Sequence, residues 1–151
     1  MVARTFLLWF IAAGAAGSAA AGPMTVTDAW IRATPPGVPT AAAYLTITNA
    51  GGADRLLGGA TPAAQTVELH AHVEGGGLHR MERLAEVTVP AGAVVRLEPA
   101  GLHLMLIDIA APLAAGTHVL LTLRFATAGQ IELEIPVIDA RASSATIHAE
   151  P

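Results

Sequence analysis

Short runs of alternating apolar and polar residues recur along this chain and constrain its fold more than any other feature. Gly, Pro, Asn and Asp separate these runs. Such spacing is typical of an all-β Greek-key sandwich or barrel, and no segment has the periodicity of a long helix. The predicted strands are residues 26–32, 42–48, 55–60, 66–72, 78–84, 86–89, 93–97, 102–109, 118–125 and 131–137.

Two of these strands predict a hairpin that gathers metal-binding side chains on one face. If residues 74–77 form a symmetric loop, His70 lies opposite Met81 and His72 lies opposite His79. Directly opposed residues of an antiparallel pair have Cβ atoms about 4.5–5.5 Å apart. We therefore expect these side chains to be close enough to share one ion.

The strand at residues 102–109 has the same division of faces. Leu102, Leu104 and Leu106 share the side expected to face the core. His103 and Met105 share the other side, because successive side chains alternate across a strand. The sequence thus predicts a partly open site on the outer face, which suits an ion that is handed on.

Sulfur chemistry narrows the choice of metal. The chain has no cysteine. Met24 lies near the expected start of the mature chain, which leaves Met81 and Met105 inside the predicted domain. Thioether and imidazole ligands together favour copper(I), because neutral ligands leave the charge of a divalent ion uncompensated. A blue-copper electron-transfer centre is excluded since it requires a cysteine thiolate.

The spacing of His70, Met81, His103 and Met105 is H-x10-M-x21-H-x-M, and with it the chain resembles the PCuAC family of periplasmic copper(I) chaperones. The resemblance extends over nearly all of residues 24–137. Further matching segments are 29–37, 42–49, 67–70, 80–81, 89–92, 101–106 and 112–113.

The resemblance implies a cupredoxin-like Greek-key fold and copper(I) bound by the four motif residues. It also implies delivery of copper to the dinuclear copper site of cytochrome c oxidase, with a thioredoxin-like copper protein as a further candidate partner. The chain departs from the family at one position. Many members read His-Glu-Met at the first ligand, whereas this chain reads His70-Ala71-His72. We therefore consider His72 and His79 as accessory ligands, and His148 as an aid to copper(II) capture.

Charge and the chain ends set the compartment and the class of partner. The net charge is −4 and the pI about 5.8, which excludes the basic footprint of a nucleic-acid or anionic-membrane partner. Residues 1–21 have the three regions of a signal peptide. We expect cleavage after Ala21, a periplasmic domain at 22–139 that is a monomer, and a flexible tail at 140–151.

Enzymatic functions find little support, and we predict that the protein is not an enzyme. Serine is confined to the leader and tail, and the chain lacks cysteine and lysine, so the domain has no serine, cysteine or lysine nucleophile. The leading alternative is a copper-sequestering tolerance protein without a delivery partner. A hydrolytic zinc site of His70, His72 and His103 is a third alternative.

Overall fold

The computed structural model describes residues 19–139, which form one all-β unit, with side chains described from Gly22 onward. No helix in this part of the chain is long and apolar enough to cross a membrane. The strands are β1 (Ala19–Ala21), β2 (Met24–Arg32), β3 (Thr40–Asn49), β4 (Asp54–Ala60), β5 (Ala64–Gly75), β6 (Leu78–Leu84), β7 (Val87–Val89), β8 (Val94–Leu97), β9 (Leu102–Ile109), β10 (His118–Phe125) and β11 (Gly129–Ile138).

Every predicted strand is present, and β6, β9 and β10 have the predicted bounds. The short strand β1 is additional; its alanines lie within the predicted leader and pair with the start of β2. Residues 1–18 and 140–151 lie outside the described part of the chain, so the predicted leader core and tail do too.

Seven strands form a closed ring in the order β2-β11-β10-β4-β5-β9-β3, and β3 pairs again with β2. The contact between β11 and β2 is parallel, whereas the other pairings of the ring are antiparallel. Closure removes the free edges that an open sheet would expose. The predicted Greek-key sandwich or barrel is therefore confirmed as a barrel.

The core fills the inside of the ring with one face of each strand. β11 shows the rule, since Ile131, Leu133, Ile135 and Val137 are buried while the residues between them are more exposed. Burying such a side chain contributes about 1.5–3 kcal/mol. Alternation of this kind also fixes which face of each strand remains for function.

Hydrogen bonds to Asp54 connect the start of β4 with the turn between β10 and β11. Its buried carboxylate accepts backbone N–H bonds from Arg55, Thr127 and Ala128 at 2.7–2.9 Å. Burial raises the pKa of Asp54, but these bonds outweigh it and leave the pKa lowered. The charged form is thus the one that stabilises this end of the barrel.

Candidate metal centre

The β5–β6 hairpin carries the first part of the site, and its register differs from the predicted one. The turn is only Gly76-Gly77, with φ values of 60° and 76°. Positive φ at both central positions is the requirement of the two-residue type I′ hairpin turn. His72 therefore lies opposite Met81, and His70 lies opposite Arg83.

The predicted pairs His70–Met81 and His72–His79 are wrong by two positions, because the loop is shorter than residues 74–77. A shift of two preserves the face of every side chain. His70, His72 and Met81 accordingly lie on one side of the ribbon, as predicted, although their neighbours differ.

Strand β9 adds the other two motif residues on the opposite edge of β5. His70 pairs with His103, and Glu68 pairs with Met105. The motif residues thus occupy the same face of three adjacent strands, with β5 in the middle. β5 and β9 present this face outward because their leucines Leu69, Leu104 and Leu106 are buried in the core, and β6 follows through its pairing with β5.

Three imidazoles lie next to one another at the centre of this face. The ring centroids of His70 and His103 are 5.8 Å apart, and those of His72 and His103 are 5.1 Å apart. His72, predicted as an accessory residue, is therefore nearer to His103 than His70 is. Met81 borders the group through its pairing with His72.

Solvent exposure varies widely across the site. His103 is only 2% exposed, whereas Met81 is 50% exposed. The ring of Tyr44 lies 6.4 Å from that of His103, and Trp30 packs on Tyr44 at 4.6 Å. The prediction of a partly open site is correct for Met81 and His72 but wrong for His103, which is buried with Tyr44 of β3 beside it.

The hydrogen bond of His103 identifies its free nitrogen. Nδ1 lies 3.1 Å from the carbonyl oxygen of Gly101, and a carbonyl only accepts, so Nδ1 carries the proton. Nε2 is then left with a lone pair for a metal. Burial lowers the pKa of His103, the Gly101 bond opposes this, and nearby His72 and His70 lower it further, which keeps the imidazole neutral.

Sequence reasoning missed Glu68, which contacts the site directly. Its Oε2 lies 3.0 Å from Nε2 of His70, and its Oε1 lies 3.4 Å from Nε of Arg83. Nδ1 of His70 is buried and has no hydrogen-bond partner. The i, i+2 spacing of Glu68 and His70 places both on one face of a strand, but it does not show that they form a hydrogen bond.

The remaining histidines lie apart from this group. His79 faces Glu74 near the hairpin tip, with its Nδ1 3.2 Å from Oε1 and its side chain 77% exposed. His118 is exposed at the start of β10, and His148 lies outside the described residues. His79 therefore shares the face of the site but has a carboxylate as its nearest partner.

The three imidazoles on this face are not arranged as a preformed metal site. Within residues 19–139, no group of three or more His, Cys, Asp or Glu side chains is arranged to hold a metal ion. The zinc alternative built on His70, His72 and His103 lacks such a preformed site.

The fold defines a class, that of small cupredoxin-like barrels, and this member has histidine and methionine side chains together on one outer sheet face. Residues 24–137 match the model of the family described as "Putative lipoprotein LpqE-like". The chain belongs to that family.

Relatives and solved structures agree with this assignment. A protein of Leifsonia xyli subsp. xyli (strain CTCB07), named "Putative lipoprotein Lxx21020", is 35% identical over 116 residues, 76% of this chain and 69% of the relative. The copper-bound PCuAC domain from PmoF2 has a TM-score of 0.70 and 25% identity, covering 81% of this chain and 97% of that domain.

A second solved protein matches in two states. Apo-DR1885 from Deinococcus radiodurans is 31% identical, with a TM-score of 0.61, covering 92% of this chain and 94% of its own. Its copper(I) form is also 31% identical, with a TM-score of 0.62, covering 74% and 76%. The chain is thus similar in fold to proteins solved with copper.

Proposed function

We propose that this protein binds copper(I) through His70, Met81, His103 and Met105 and passes it to an acceptor. The observation that carries the proposal is the placement of these residues on one face of three adjacent strands. Imidazole and thioether ligands favour a soft monovalent ion. Similarity to a copper-bound PCuAC domain and to copper(I)-DR1885 supports the same metal.

His72 joins the site as an accessory ligand in this proposal. It pairs with Met81 across the hairpin, and its ring is 5.1 Å from that of His103. An additional imidazole also gives the site some affinity for copper(II), which prefers nitrogen ligands to thioethers.

Delivery is favoured over storage by the exposure of one side of the site. Met81 is 50% exposed, so an incoming ligand can reach the metal without unfolding the barrel. The acceptor we propose is the dinuclear copper site of cytochrome c oxidase, directly or through a thioredoxin-like copper protein. Sequestration without a partner would use the same ligands, so transfer itself has to be measured.

We further propose that the protein is exported to the periplasm and that residues 1–21 direct it there. The family description and the Leifsonia relative both carry the word lipoprotein, which supports export. The 151 residues contain no cysteine, so no thiol is available here for a lipid anchor.

Two measurements test the proposal. Anaerobic competition with a copper(I) chelator should give one copper(I) per chain. The loaded protein is then mixed with the metal-free copper domain of cytochrome c oxidase, the two are separated, and copper is measured in each. Copper should move to the oxidase domain.

The outcomes separate the candidate functions. Tight binding with all copper retained after mixing would support sequestration. Absence of copper(I) binding would overturn the proposal altogether. Mixing with metal-free serum albumin, a protein with no role in oxidase assembly, controls for transfer by simple release into solution.

A further inference from the structure

We propose that Glu68 is a positioning residue of the metal site: it holds the proton of His70 on Nε2 and thereby directs Nδ1 to copper(I). This inference rests on the proposed function, because it concerns how one of the proposed ligands is prepared. It adds a residue outside the four-residue motif and names the coordinating atom.

The hydrogen bond fixes the tautomer of His70. Oε2 of Glu68 lies 3.0 Å from Nε2, and a carboxylate only accepts, so Nε2 carries the proton. A neutral imidazole has one N–H, which leaves a lone pair on Nδ1. That atom is the one buried side-chain nitrogen or oxygen between residues 22 and 139 with no hydrogen-bond partner.

A buried lone pair without a partner is costly unless something else engages it. His70 lies directly opposite His103, with ring centroids 5.8 Å apart, so a metal between the two rings would supply that partner. His103 has the opposite arrangement, since its Nδ1 is bonded to Gly101. The two imidazoles therefore present different nitrogens.

The contact of Glu68 with His70 outweighs its contact with Arg83. The side chain of Arg83 is 71% exposed and its Nε is 3.4 Å from Oε1, so this ion pair is loose and screened by water. The side chain of His70 is only 16% exposed and its contact is shorter. Arg83 is therefore the weaker of the two partners of this carboxylate.

A carboxylate behind a ligating imidazole has two effects on metal binding. It fixes the ring orientation and raises the basicity of the ligating nitrogen. It also supplies negative charge next to a ligand set that is neutral. Direct ligation by Glu68 is disfavoured, because both oxygens are engaged and hard oxygen ligands suit copper(I) poorly.

The direct test is nitrogen NMR of the whole protein labelled with ¹⁵N-histidine, before and after one equivalent of copper(I). In the metal-free protein, His70 should show a protonated Nε2. On binding, the Nδ1 signal of His70 and the Nε2 signal of His103 should shift as coordinated nitrogens. Coordination of His70 through Nε2 would overturn the inference.

Variants provide the energetic test by chelator competition. Glu68→Ala should weaken copper(I) binding about 10–100-fold, the usual effect of losing such an outer partner. Glu68→Gln keeps an acceptor oxygen, so it should retain Nδ1 coordination and lose less affinity. An unchanged affinity in Glu68→Ala would contradict the inference.

Glu82→Gln is the matched control. It removes the same charge from the same ribbon, but Glu82 pairs with Ala71 on the other face, so its copper affinity should equal that of the parent. If Glu82→Gln and Glu68→Gln lose the same copper(I) affinity, the effect comes from net charge alone. Glu68 would then not be a positioning residue. If Glu68→Ala does not fold, the NMR of the parent and of Glu68→Gln decides.

The failure of this inference is distinguishable from that of the proposed function. If the parent protein binds no copper(I), the proposed function itself is contradicted. If the parent protein binds copper(I) through Nε2 of His70, the proposed function stands and only the role of Glu68 is contradicted.

Discussion

His103 and Met81 face the same side of the sheet but differ most in their access to water. His103 is 2% exposed and is restrained by Gly101 and Tyr44, while Met81 is 50% exposed on the outermost strand of the site. Ligands held in place before binding cost less ordering entropy when metal arrives. We therefore expect His103 to act as the fixed ligand and Met81 as the adaptable one.

The methionine ligands give the first prediction at this scale. Met81→Leu and Met105→Leu should each lower copper(I) affinity by more than the roughly 10–100-fold caused by losing an outer partner, because a sulfur ligand itself is removed. Leucine has nearly the volume of methionine, so the stability cost should stay below about 1.5 kcal/mol. Chelator competition and urea unfolding measure the two quantities. Unchanged copper(I) affinity in both variants would show that the methionine sulfurs do not bind copper(I).

His72 gives the second prediction. His72→Met should weaken copper(II) binding and leave copper(I) binding equal or tighter, because imidazole suits the harder oxidation state and thioether the softer one. Dissociation constants for both ions, measured at neutral pH, check this. His79→Met is the control, since His79 pairs with Glu74 near the hairpin tip. If His72→Met and His79→Met change the copper affinities equally, His72 is not an accessory ligand.

The buried His103 gives a pH prediction. Its pKa is lowered in the folded state, chiefly by burial, so the unfolded chain takes up the proton more readily than the folded one. The free energy of unfolding of the metal-free protein should therefore fall as pH drops below the ordinary imidazole pKa of about 6.5.

Urea unfolding measures how the free energy of unfolding changes with pH. The range from about pH 7.5 to 5.5 spans the ordinary imidazole pKa. His103→Gln does not titrate, so its stability should depend less on pH over that range. A steeper slope in His103→Gln would contradict the assignment. Copper affinity should fall in the same direction, since only the neutral imidazole binds metal.

At the scale of the strands, the hairpin shows what local sequence can and cannot decide. Gly75-Gly76-Gly77 signals a turn, but it is compatible with loops of two or four residues. The two-residue loop is the one observed. It makes His72, and not His70, the cross-strand partner of Met81. Face assignments survive such an error because the strand period is two, whereas cross-strand partners do not.

The turn itself gives a prediction for this element. Gly76 and Gly77 both have positive φ, so Gly76→Val should cost about 1–2 kcal/mol locally, whereas Gly76→Asn should be tolerated because asparagine-glycine suits this turn. Amide exchange in β6 should accelerate in the valine variant, and copper(I) affinity should fall with it through Met81. Equal exchange in the two variants would argue against this turn.

At the scale of the whole molecule, long-range contacts decide what sequence patterns leave open. Strand positions follow from alternation and from the Gly and Pro between runs, so the all-β class and its core were predictable. The burial of His103 was not, because Trp30 and Tyr44 come from strands distant in sequence. Glu68 was overlooked since a strand pattern alone does not distinguish a solvated carboxylate from one bonded to a ligand.

The compartment prediction belongs to this scale as well. The mature protein should begin at Gly22, because Ala19 and Ala21 precede the expected cleavage site. Its intact mass should therefore lack residues 1–21. Mass spectrometry of protein recovered from the periplasm measures this mass. A mass that includes Arg4 would indicate an uncleaved leader.

Strand β6 lies outside the closed ring and pairs with β5. His70, His72, His103 and Met105 therefore lie in the wall of the ring, whereas Met81 lies on a strand attached outside it. A chelate divided in this way can be taken apart one bond at a time. We expect a competing ligand to replace Met81 first, while the wall still holds the ion, so that free copper is never released between donor and acceptor.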